Sequence, residues 1–411
     1  MDDRRNLTKK ATMQREIVEF GKKINHVSLI DVVSESLLMN IFAGLPIASI
    51  CALRCVCKLY FKLISEKWFT KRFVELSPYT TIVFNNDFGV HLVELAKGYC
   101  KSYKSIFPGN YAKIVGSCNG LLFFLVVCPH GFFRQPVLYI CNPVLGQYAT
   151  LPKPPPCDKI HNSDRKMKDV YGFGSGSSTD NYKILRISTL VDPPHPIYSK
   201  RSDAQVYIVG TKTWKSLGYL PYPSNEESLA AIVEGAFHWL FYNEMIHVTS
   251  VYAFNIEEER YYQISFPQNI GNGNINMNVG VLNDCLCLFD NSDPAHLDIW
   301  SMKEYGVGES WALKCILTTS IIPAGLDSFA LHPITVMKDE EIFMKSGSGN
   351  FYTYNQKNMN ITRFEIDNME LLAEFNNHAV HSSNFCPLDL ILAGYLVFDK
   401  FSVRCTCGYT F

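Results

Sequence analysis

Cysteine pairs are the first residues of this chain whose type and spacing could support chemistry, as metal ligands or as a redox couple. The chain of 411 residues contains 14 cysteines. Three pairs have the spacing C-x-C: Cys55 and Cys57, Cys285 and Cys287, and Cys405 and Cys407. Zinc sites usually need C-x-x-C, whereas C-x-C in a strand places both thiols on one face, as in a core. We therefore expect free cysteines, with only Cys405 and Cys407 as candidates for a metal or redox contact.

Histidines and glycines offer no stronger site. His378 and His381 form H-x-x-H without nearby carboxylate or cysteine ligands, and His238 lies in an apolar run where a core histidine is expected. The glycines of Gly172–Ser178 lack phosphate-loop spacing and indicate a turn. The sequence also lacks G-x-S-x-G, H-E-x-x-H and P-loop motifs. We therefore expect no catalytic residue, no metal and no other cofactor, and a protein that is not an enzyme.

Charge and composition exclude further classes of function. The formal net charge is -1, which provides no field for nucleic acid or for an anionic membrane. Apolar residues make up 47% of the chain, enough for a folded core. The charged N-terminus lacks the apolar segment of a secretory signal, and the longest apolar run, Leu121–Cys128, is too short to span a bilayer. We expect a protein of the cytoplasm, the nucleus or both, with no nucleic-acid or membrane partner.

Three helix-length apolar patterns lie close together between Val33 and Ser65. The apolar residues are Leu37, Leu38, Ile41, Phe42 and Leu45 in the first stripe, Ile47, Ile50, Leu53, Val56 and Cys57 in the second, and Tyr60, Leu63 and Ile64 in the third. Their spacing predicts broad helical faces, and Pro46 can end one helix and begin the next. A helical unit this small cannot bury these residues alone, so it needs a partner surface.

The same stretch resembles the F-box motif of plant F-box proteins. The matching residues are Leu45-Pro46, Ser49, Arg54–Lys58 and Leu63–Ser65, and the block Leu53–Lys58 is the most specific part. The resemblance implies docking on the small Skp-type adaptor of cullin ubiquitin ligases.

Two positions depart from that motif. Val33-Ser34 stands where the motif usually opens with Leu-Pro, and Tyr60 stands where a Trp is usual. Both replacements keep some apolar character, so we expect weakened docking. The residues expected at the adaptor interface are Leu37, Leu38, Ile41, Leu45, Pro46, Ile47, Leu53, Val56, Cys57 and Tyr60. The alternative is a helical unit that packs only on its own chain.

After Pro78 the pattern changes to short apolar and aromatic runs separated by turn residues, which is typical of many short strands. Turn dipeptides that precede an apolar run are Asn119-Gly120, Glu234-Gly235, Asn283-Asp284 and Lys338-Asp339. The key aromatic residues of the following strands are Tyr139, Tyr207, Tyr252, Trp300 and Tyr352. Apart from a wider first interval, their spacing of roughly 40–50 residues is what a four-stranded propeller blade requires.

The wider interval between Tyr139 and Tyr207 has two interpretations. It holds either a long loop that is rich in proline and charge, or an extra blade containing Tyr171–Gly174 and Asn181–Ile187. We expect a mainly antiparallel β domain that forms a β-propeller of about six blades, because ring closure buries both apolar faces of each blade. An irregular β-sandwich is the alternative.

This β region resembles the plant F-box-associated domain. The matching segments are Gly116–Leu122, Cys141–Pro155, Tyr171–Gly174, Tyr182–Ile184, Val206–Leu217, Glu234–Leu240 and Asp298–Trp311, the last being the most specific. Together with the helices, the series predicts an α+β multi-domain chain. We divide it into a charged extension (1–32), an F-box (33–77), a linker or start of the β domain (78–109), the propeller-like domain (110–366) and a C-terminal tail (367–411).

The resemblance implies that the chain is the substrate-recognition subunit of a Skp–cullin–F-box ubiquitin ligase, which tethers an unidentified target protein. We expect the target to meet three long polar loops on one rim, Pro152–Asp169, Asp192–Ser202 and Gln268–Asn278. One alternative is a propeller enzyme or glycan-binding module with a vestigial F-box, since exposed aromatic residues can hold sugars. Another is an F-box protein that binds the adaptor without degrading anything.

Overall fold

The computed structural model describes residues 35–399 apart from sixteen short gaps. The gaps are residues 87–88, 97–98, 105–111, 127–135, 157–166, 178–180, 191–201, 225–230, 244–245, 268–269, 271–275, 294–295, 319–330, 348, 366–376 and 393–397.

Four helices open the described chain: α1 (Glu35–Ala43), α2 (Ile47–Arg54), α3 (Lys58–Ser65) and α4 (Lys67–Leu76). Pro46 precedes α2 with extended backbone, which suits a residue that cannot continue α1. Cys57 is the N-cap of α3, and its sulfur accepts the backbone N–H of Tyr60. The helical unit predicted from the apolar stripes is therefore present.

Twenty-five strands, one short α-helix and one turn of 3-10 helix (Gly308–Ser310) follow in the described chain. The strands are β1 (Thr80–Asn86), β2 (Gly89–Ala96), β3 (Tyr99–Lys104), β4 (Ala112–Cys118), β5 (Leu121–Val126), β6 (Val137–Asn142), β7 (Gln147–Thr150), β8 (Met167–Ser175), β9 (Tyr182–Leu190), β10 (Ser202–Ile208), β11 (Trp214–Gly218), β12 (Ala231–Val233), β13 (Ala236–Asn243), β14 (Val248–Asn255), β15 (Arg260–Ile264), β16 (Met277–Leu282), β17 (Cys285–Asp290), β18 (His296–Met302), β19 (Trp311–Thr318), β20 (Leu331–Val336), β21 (Ile342–Ser346), β22 (Phe351–Asn355), β23 (Asn360–Phe364), β24 (Asn377–His381) and β25 (Phe398–Asp399), with helix α5 (Leu388–Ile391).

The strands form six antiparallel sheets, which are the blades of a propeller. In strand order they are blade 1 (β24-β1-β2-β3), blade 2 (β4-β5-β6-β7, extended by β25), blade 3 (β8 to β11), blade 4 (β12 to β15), blade 5 (β16 to β19) and blade 6 (β20 to β23). Strand β24 pairs with β1, from Thr81 opposite His381 to Asn85 opposite Asn377. It also contacts β4 and β20, the inner strands of the two neighbouring blades. The last inner strand therefore closes the ring, and the predicted propeller of six blades is confirmed.

The aromatic repeat marks equivalent positions. Tyr139, Tyr207, Tyr252, Trp300 and Tyr352 all lie on the third strand of their blades, which are blades 2 to 6. The extra blade considered for the wide interval is wrong, because Tyr171–Gly174 lies in β8 and Tyr182–Ile187 in β9, the first two strands of the blade that contains Tyr207. Gly172–Ser175 is thus strand rather than turn.

The predicted turn dipeptides join the first two strands of their blades. Asn119-Gly120, Glu234-Gly235 and Asn283-Asp284 have positive φ at both residues, as a two-residue type I′ hairpin requires. Gly120 meets a second requirement, since a Cβ there would lie 2.1 Å from the Cβ of Asn384. The close approach of residues 382–384 therefore excludes any side chain at position 120.

Because successive strands of each blade run in opposite directions, their connections emerge on two different faces of the propeller. Connections from first to second and from third to fourth strands emerge on one face, here called the turn face. Connections from second to third strands and from one blade to the next emerge on the opposite face, here called the loop face. The segments 105–111, 127–136, 151–166, 191–201, 219–230, 265–276, 319–330 and 365–376 all join strand ends at the loop face. The strands that flank the three expected recognition loops therefore end at the same face.

Each pair of neighbouring blades encloses its own apolar cluster. Three tryptophans also connect blades by hydrogen bonds, and the indole N–H of Trp239 in blade 4 donates to the carbonyl of Pro221 after blade 3, at 3.1 Å. The indole N–H of Trp214 in blade 3 donates to the carbonyl of Pro152 after blade 2, at 3.1 Å. The indole of Trp311 in blade 5 donates to the carbonyl of Ser265 after blade 4, at 2.8 Å. These bonds satisfy buried polar groups while leaving the aromatic rings in the core.

The β structure extends on both sides of residues 110–366. Strands β1 to β3 come from 80–104, and their inner partner β24 comes from 377–381. These strands lack the aromatic repeat of the other blades, so the sequence pattern does not mark them. We propose that the cooperative β unit runs from about residue 80 to about residue 392.

A chain that ends at residue 376 tests that boundary. It lacks β24, so blade 1 loses its inner strand and the ring stays open. We expect it to lose the single cooperative urea-unfolding transition of the full chain, as measured by circular dichroism. A chain that ends at residue 392 keeps β24 and α5 and should unfold close to the full chain. An unchanged transition in the chain ending at 376 contradicts the boundary.

Candidate protein interface

The helical unit is joined to the propeller through a shared apolar core. Residues of all four helices pack in one cluster with residues of blades 1 and 2, and with Phe385 from the C-terminal segment. The ring centroids of Phe385 and Phe73 are 5.0 Å apart, and those of Phe385 and Phe69 are 6.1 Å apart. Phe69 in turn contacts Phe42 of α1, at 6.3 Å. The helices therefore complete the blade 1–blade 2 core rather than forming an independent one.

The segment that follows β24 forms hydrogen bonds with both the helical unit and blade 2. The side-chain amide of Asn142 in blade 2 donates to the carbonyls of Asn384, at 2.9 Å, and Cys386, at 3.2 Å. The backbone N–H of Phe385 donates to the hydroxyl of Thr70 in α4, at 3.2 Å. One short segment therefore contacts the helices and blade 2 together, and its buried backbone groups are satisfied.

A buried carboxylate holds the N-terminus of α2. The backbone N–H of Ile47 donates to Oε1 of Glu94 at 2.9 Å, and Glu94, on β2, is only 1% exposed. Pro46 supplies no side-chain cap, so the capping group comes from the propeller. An anionic group at a helix N-terminus meets both the unpaired N–H groups and the positive end of the helix dipole. This contact fixes the orientation of α2 relative to blade 1.

The expected adaptor-interface residues divide into two groups. Leu37, Ile41 and Val56 are 51%, 53% and 65% exposed. The others are buried or half-buried: Leu38, Leu45, Pro46, Ile47, Leu53, Cys57 and Tyr60. Of these, Leu38, Leu45, Ile47, Leu53 and Tyr60 pack in the core shared with blades 1 and 2. Val33-Ser34, where the motif departs from its usual opening, lies outside the described residues, whereas Tyr60 packs edge-on against Phe42 at 5.3 Å.

Further large apolar side chains are exposed on the helices. These are Leu59, Phe61 and Trp68, with Leu76 less exposed at 37%, and the guanidinium of Arg54 lies 5.0 Å from the ring centroid of Phe61. Sequence reasoning missed Leu59 and Phe61 because the apolar residues of α3 cover more than one face, and it assigned no apolar stripe to α4, which carries Trp68 and Leu76. We call Leu37, Ile41, Val56, Leu59, Phe61 and Trp68 the outer apolar residues. So many exposed apolar side chains on one small unit indicate a protein-binding surface.

The described cysteines are free thiols, of which Cys141, Cys287 and Cys386 are buried and Cys55 is exposed. Burial, above all, raises the pKa of the Cys51 thiol to about 11 and also raises the pKa of Cys287, so both stay neutral thiols near pH 7. Among the described residues, no group of three or more His, Cys, Asp or Glu side chains could hold a metal ion. Cys405 and Cys407 lie outside the described residues.

Of the three histidines considered from the sequence, His238 and His381 are buried and His378 is half-buried. His378 and His381 lie three residues apart on β24, so they point to opposite sides of the strand and do not form a ligand pair. Burial lowers the pKa of His381 to about 3, and its Nδ1 lies 2.9 Å from the hydroxyl of Ser117. Burial also lowers the pKa of His238 to about 4, and its Nε2 lies 2.8 Å from the hydroxyl of Tyr305.

The described ends of the three expected recognition loops are fixed by side-chain contacts or belong to strands. The guanidinium of Arg186 donates to the carbonyl of Pro155 at 3.1 Å and pairs with Asp169 at 2.9 Å. Ser202 belongs to β10, and Met277 and Asn278 belong to β16. Most of each loop, residues 157–166, 191–201, 268–269 and 271–275, lies outside the described residues. The loops therefore begin and end on fixed strands, as recognition loops on a rigid scaffold do.

Comparison with known proteins identifies the family. A model of the F-box domain matches residues 31–72, and a model of the F-box associated beta propeller domain matches residues 92–392. The chain therefore belongs to the F-box proteins that carry an F-box associated β-propeller domain. Its fold accordingly joins an N-terminal helical region to a six-bladed propeller. Among the helices that the structure describes, none is long and apolar enough to cross a bilayer.

The chain resembles proteins of Arabidopsis thaliana. It is 28% identical over 336 residues to F-box protein At3g07870, a match that covers 75% of this chain and 77% of the relative. It is 26% identical over 335 residues to F-box protein CPR1, which covers 74% of this chain and 76% of the relative. These matches agree with the family.

Replacing Glu94 tests whether its carboxylate stabilises the contact between α2 and blade 1. Glu94→Ala removes the acceptor at the N-terminus of α2, so it should lower the free energy of unfolding by about 1–2 kcal/mol. Glu94→Gln keeps a hydrogen-bond acceptor without the charge and should lose less. The control Glu75→Ala removes an exposed ion pair with Arg72, worth at most about 0.5 kcal/mol. Equal urea midpoints for Glu94→Ala and the unaltered chain contradict the capping role.

Proposed function

We propose that this protein is the substrate-recognition subunit of a Skp–cullin–F-box ubiquitin ligase. The observation that carries the proposal is the division of the apolar residues of the helical unit into two groups. One group packs into the core shared with the propeller, whereas the outer apolar residues remain exposed in the described chain. Membership of the F-box family supports a Skp-type adaptor, and through it a cullin, as the partner of that exposed side.

The mechanism is positioning rather than covalent chemistry. The helices bind the adaptor, and the propeller holds the target protein near a ubiquitin thioester that another subunit carries. Tethering raises the effective concentration of the target's lysines at the thioester, and effective concentrations in the millimolar range or above follow when the geometry permits. No residue of this chain takes part in bond making, so the protein is a receptor and not an enzyme.

The position of the helices is consistent with adaptor binding at the turn face and target binding at the loop face. The helical unit contacts the turn face, at Val144, Asn384 and Lys338. The long connections emerge from the opposite, loop face. A target on the loop face therefore does not compete with the adaptor for space. Because the helices share a core with blades 1 and 2, the distance between the two partners stays fixed.

Replacing two outer apolar residues tests the adaptor interface. The double variant Leu37→Ala/Val56→Ala should weaken adaptor binding at least roughly thirtyfold, because losing central apolar anchors costs about 2 kcal/mol or more. Its unfolding midpoint should stay near that of the unaltered chain, since both side chains are exposed. Isothermal titration with the purified adaptor measures the change.

Two controls separate docking from folding. Ile246→Ala alters an equally exposed apolar residue on the propeller and should leave adaptor affinity unchanged. Leu45→Ala/Pro46→Ala alters half-buried residues next to the shared core and should lower the unfolding midpoint as well as co-purification. Unchanged adaptor affinity in the folded Leu37→Ala/Val56→Ala variant rules out the proposed surface.

Exchanging loops tests target recognition. We expect that replacing residues 157–166, 192–201 and 271–275 by short Gly/Ser linkers abolishes target capture and leaves adaptor affinity unchanged. The exchange spares Asp169, the strand residues of β10 and β16, and Ile270, which is buried in the core between blades 4 and 5, so the blades stay intact. The matched control replaces Glu257 and Glu258, exposed on a turn-face hairpin, by Ser and Gly. Recovery of the same targets from cell extract by the loop-exchanged protein places recognition elsewhere.

A further inference from the structure

The last twelve residues of the chain, 400–411, alternate between apolar and polar side chains. They read KFSVRCTCGYTF and lie outside the described residues, so the pattern is a property of the sequence. Ser, Arg, Thr or Gly alternates here with six residues that pack as apolar groups, free cysteine included: Phe401, Val403, Cys405, Cys407, Tyr409 and Phe411. Strict alternation is typical of a strand with one apolar face. Such a face needs a surface to cover it. We call residues 400–411 the end segment.

The described chain ends next to the helical unit. Strand β25 is antiparallel to β7, so Asp399 lies opposite Gln147, at the end of β7 that follows the β6–β7 turn. Val144 in that turn contacts α2, since its carbonyl lies 3.9 Å from the thiol of Cys51. Val144 also packs against the core that the helices share with blades 1 and 2. The end segment therefore begins on the turn face, on the blade whose β6–β7 turn contacts α2.

The end segment is long enough to cross the helical unit. Twelve extended residues span about 40 Å at roughly 3.3 Å per residue. The longest of the four helices, α4, has 10 residues, which is about 15 Å at 1.5 Å per residue. Val56, Leu59 and Phe61, which are exposed, follow Cys51 by no more than ten residues. These outer apolar residues therefore lie within reach of the end segment.

Exposed apolar side chains are concentrated on the helical unit. Six large ones, the outer apolar residues, are exposed there, together with Leu76. Elsewhere in the described chain, the exposed large apolar side chains lie on or beside blades 3 to 6, apart from Val380 on the inner strand of blade 1. Blade 2, on which β25 ends, has none among its described residues. The helical unit is therefore the apolar surface that best fits the end segment.

We propose that the end segment covers the outer apolar residues of the helical unit when no adaptor is bound, and that the adaptor displaces it. The inference rests on the proposed function, because it assigns one surface to both occupants. The apolar face of the segment lies on side chains such as Val56, Leu59 and Phe61, and its polar face meets water. A short tether gives an effective concentration in the millimolar range. Even a weak contact therefore lowers the apparent affinity for the adaptor.

Charge gives this contact a characteristic dependence on salt. Helices α1 to α4 carry three acidic side chains, Glu35, Glu66 and Glu75, and six basic ones, Arg54, Lys58, Lys62, Lys67, Lys71 and Arg72. The end segment carries Lys400 and Arg404 and no acidic side chain. The two therefore repel each other electrostatically, and apolar contact has to supply the attraction. Salt screens the repulsion, so a higher salt concentration should strengthen the contact.

A peptide added to a shortened chain tests the contact without the adaptor. The chain that ends at residue 399 keeps β25. The probe is residues 400–411, blocked at both ends and with Ser at both cysteine positions so that no disulfide forms. We expect the probe to bind the shortened chain in fluorescence anisotropy, and to bind more tightly as salt is raised. Val56→Ala/Phe61→Ala in the shortened chain should weaken binding about tenfold, whereas Ile246→Ala should not change it.

Matched peptides test the alternating pattern. Val403→Ser/Tyr409→Ser removes two residues from the apolar face and should abolish binding, whereas Ser402→Ala/Thr410→Ala alters only the polar face and should retain it. Binding that survives Val56→Ala/Phe61→Ala in folded protein, or that salt weakens, overturns the proposal. Because this assay contains no adaptor, it judges the contact even if the proposed function fails.

Isothermal titration with the purified adaptor tests the displacement. The chain that ends at residue 399 should bind the adaptor about tenfold more tightly than the full chain, because no competing segment is tethered to it. Equal affinities overturn the proposal, and weaker binding by the shortened chain assigns the end segment to adaptor binding and also overturns it. A full chain that dimerises in size-exclusion chromatography, and is monomeric without the end segment, shows that the segment covers a second copy instead and contradicts the proposal.

Discussion

The packing of Phe385 between the helices and the propeller is the contact on which the rest of this structure depends. This one ring contacts Phe69 and Phe73 of α4, while the backbone around it is bound by Asn142 of blade 2. The same segment continues from β24, the strand that closes the ring. Ring closure and attachment of the helices are therefore linked, because both depend on residues 377–386, with β24 at one end and Phe385 near the other.

This arrangement explains how so small a helical unit can be stable while exposing apolar residues. A free four-helix unit would have to bury most of its apolar surface internally. Here blades 1 and 2 cover Leu38, Phe42 and Ile47, and Glu94 caps α2 from the propeller side. The helices can then keep Leu37, Ile41 and Val56 exposed without losing their core. The protein thus separates the residues that stabilise the junction from those available to a partner.

Much of the architecture could be predicted from the sequence, because the signals are local. Tyr207, Tyr252, Trp300 and Tyr352 each lie on the third strand of a different blade, so their spacing equals the length of one blade. The turn at Asn119-Gly120 has positive φ at both residues, as its sequence predicts. The closing strand carried no such signal, since Asn377–His381 is short and half polar and pairs with β1 far away in sequence. The sequence also could not show which face of α1 is buried, because Leu37 and Leu38 are equally apolar. Leu38 is buried and Leu37 is exposed only because the propeller packs against one face of the helix.

Native-state hydrogen exchange at increasing urea concentrations tests the shared core most directly. Amides in a segment that opens locally exchange with the free energy of that local opening. Amides in one cooperative unit all exchange with the free energy of global unfolding. The account predicts that the amides of Ile50 in α2, Leu92 in blade 1 and Leu122 in blade 2 converge on a single free energy of unfolding. A helical unit that exchanges through a separate opening of lower free energy, while blades 1 and 2 stay protected, would contradict it.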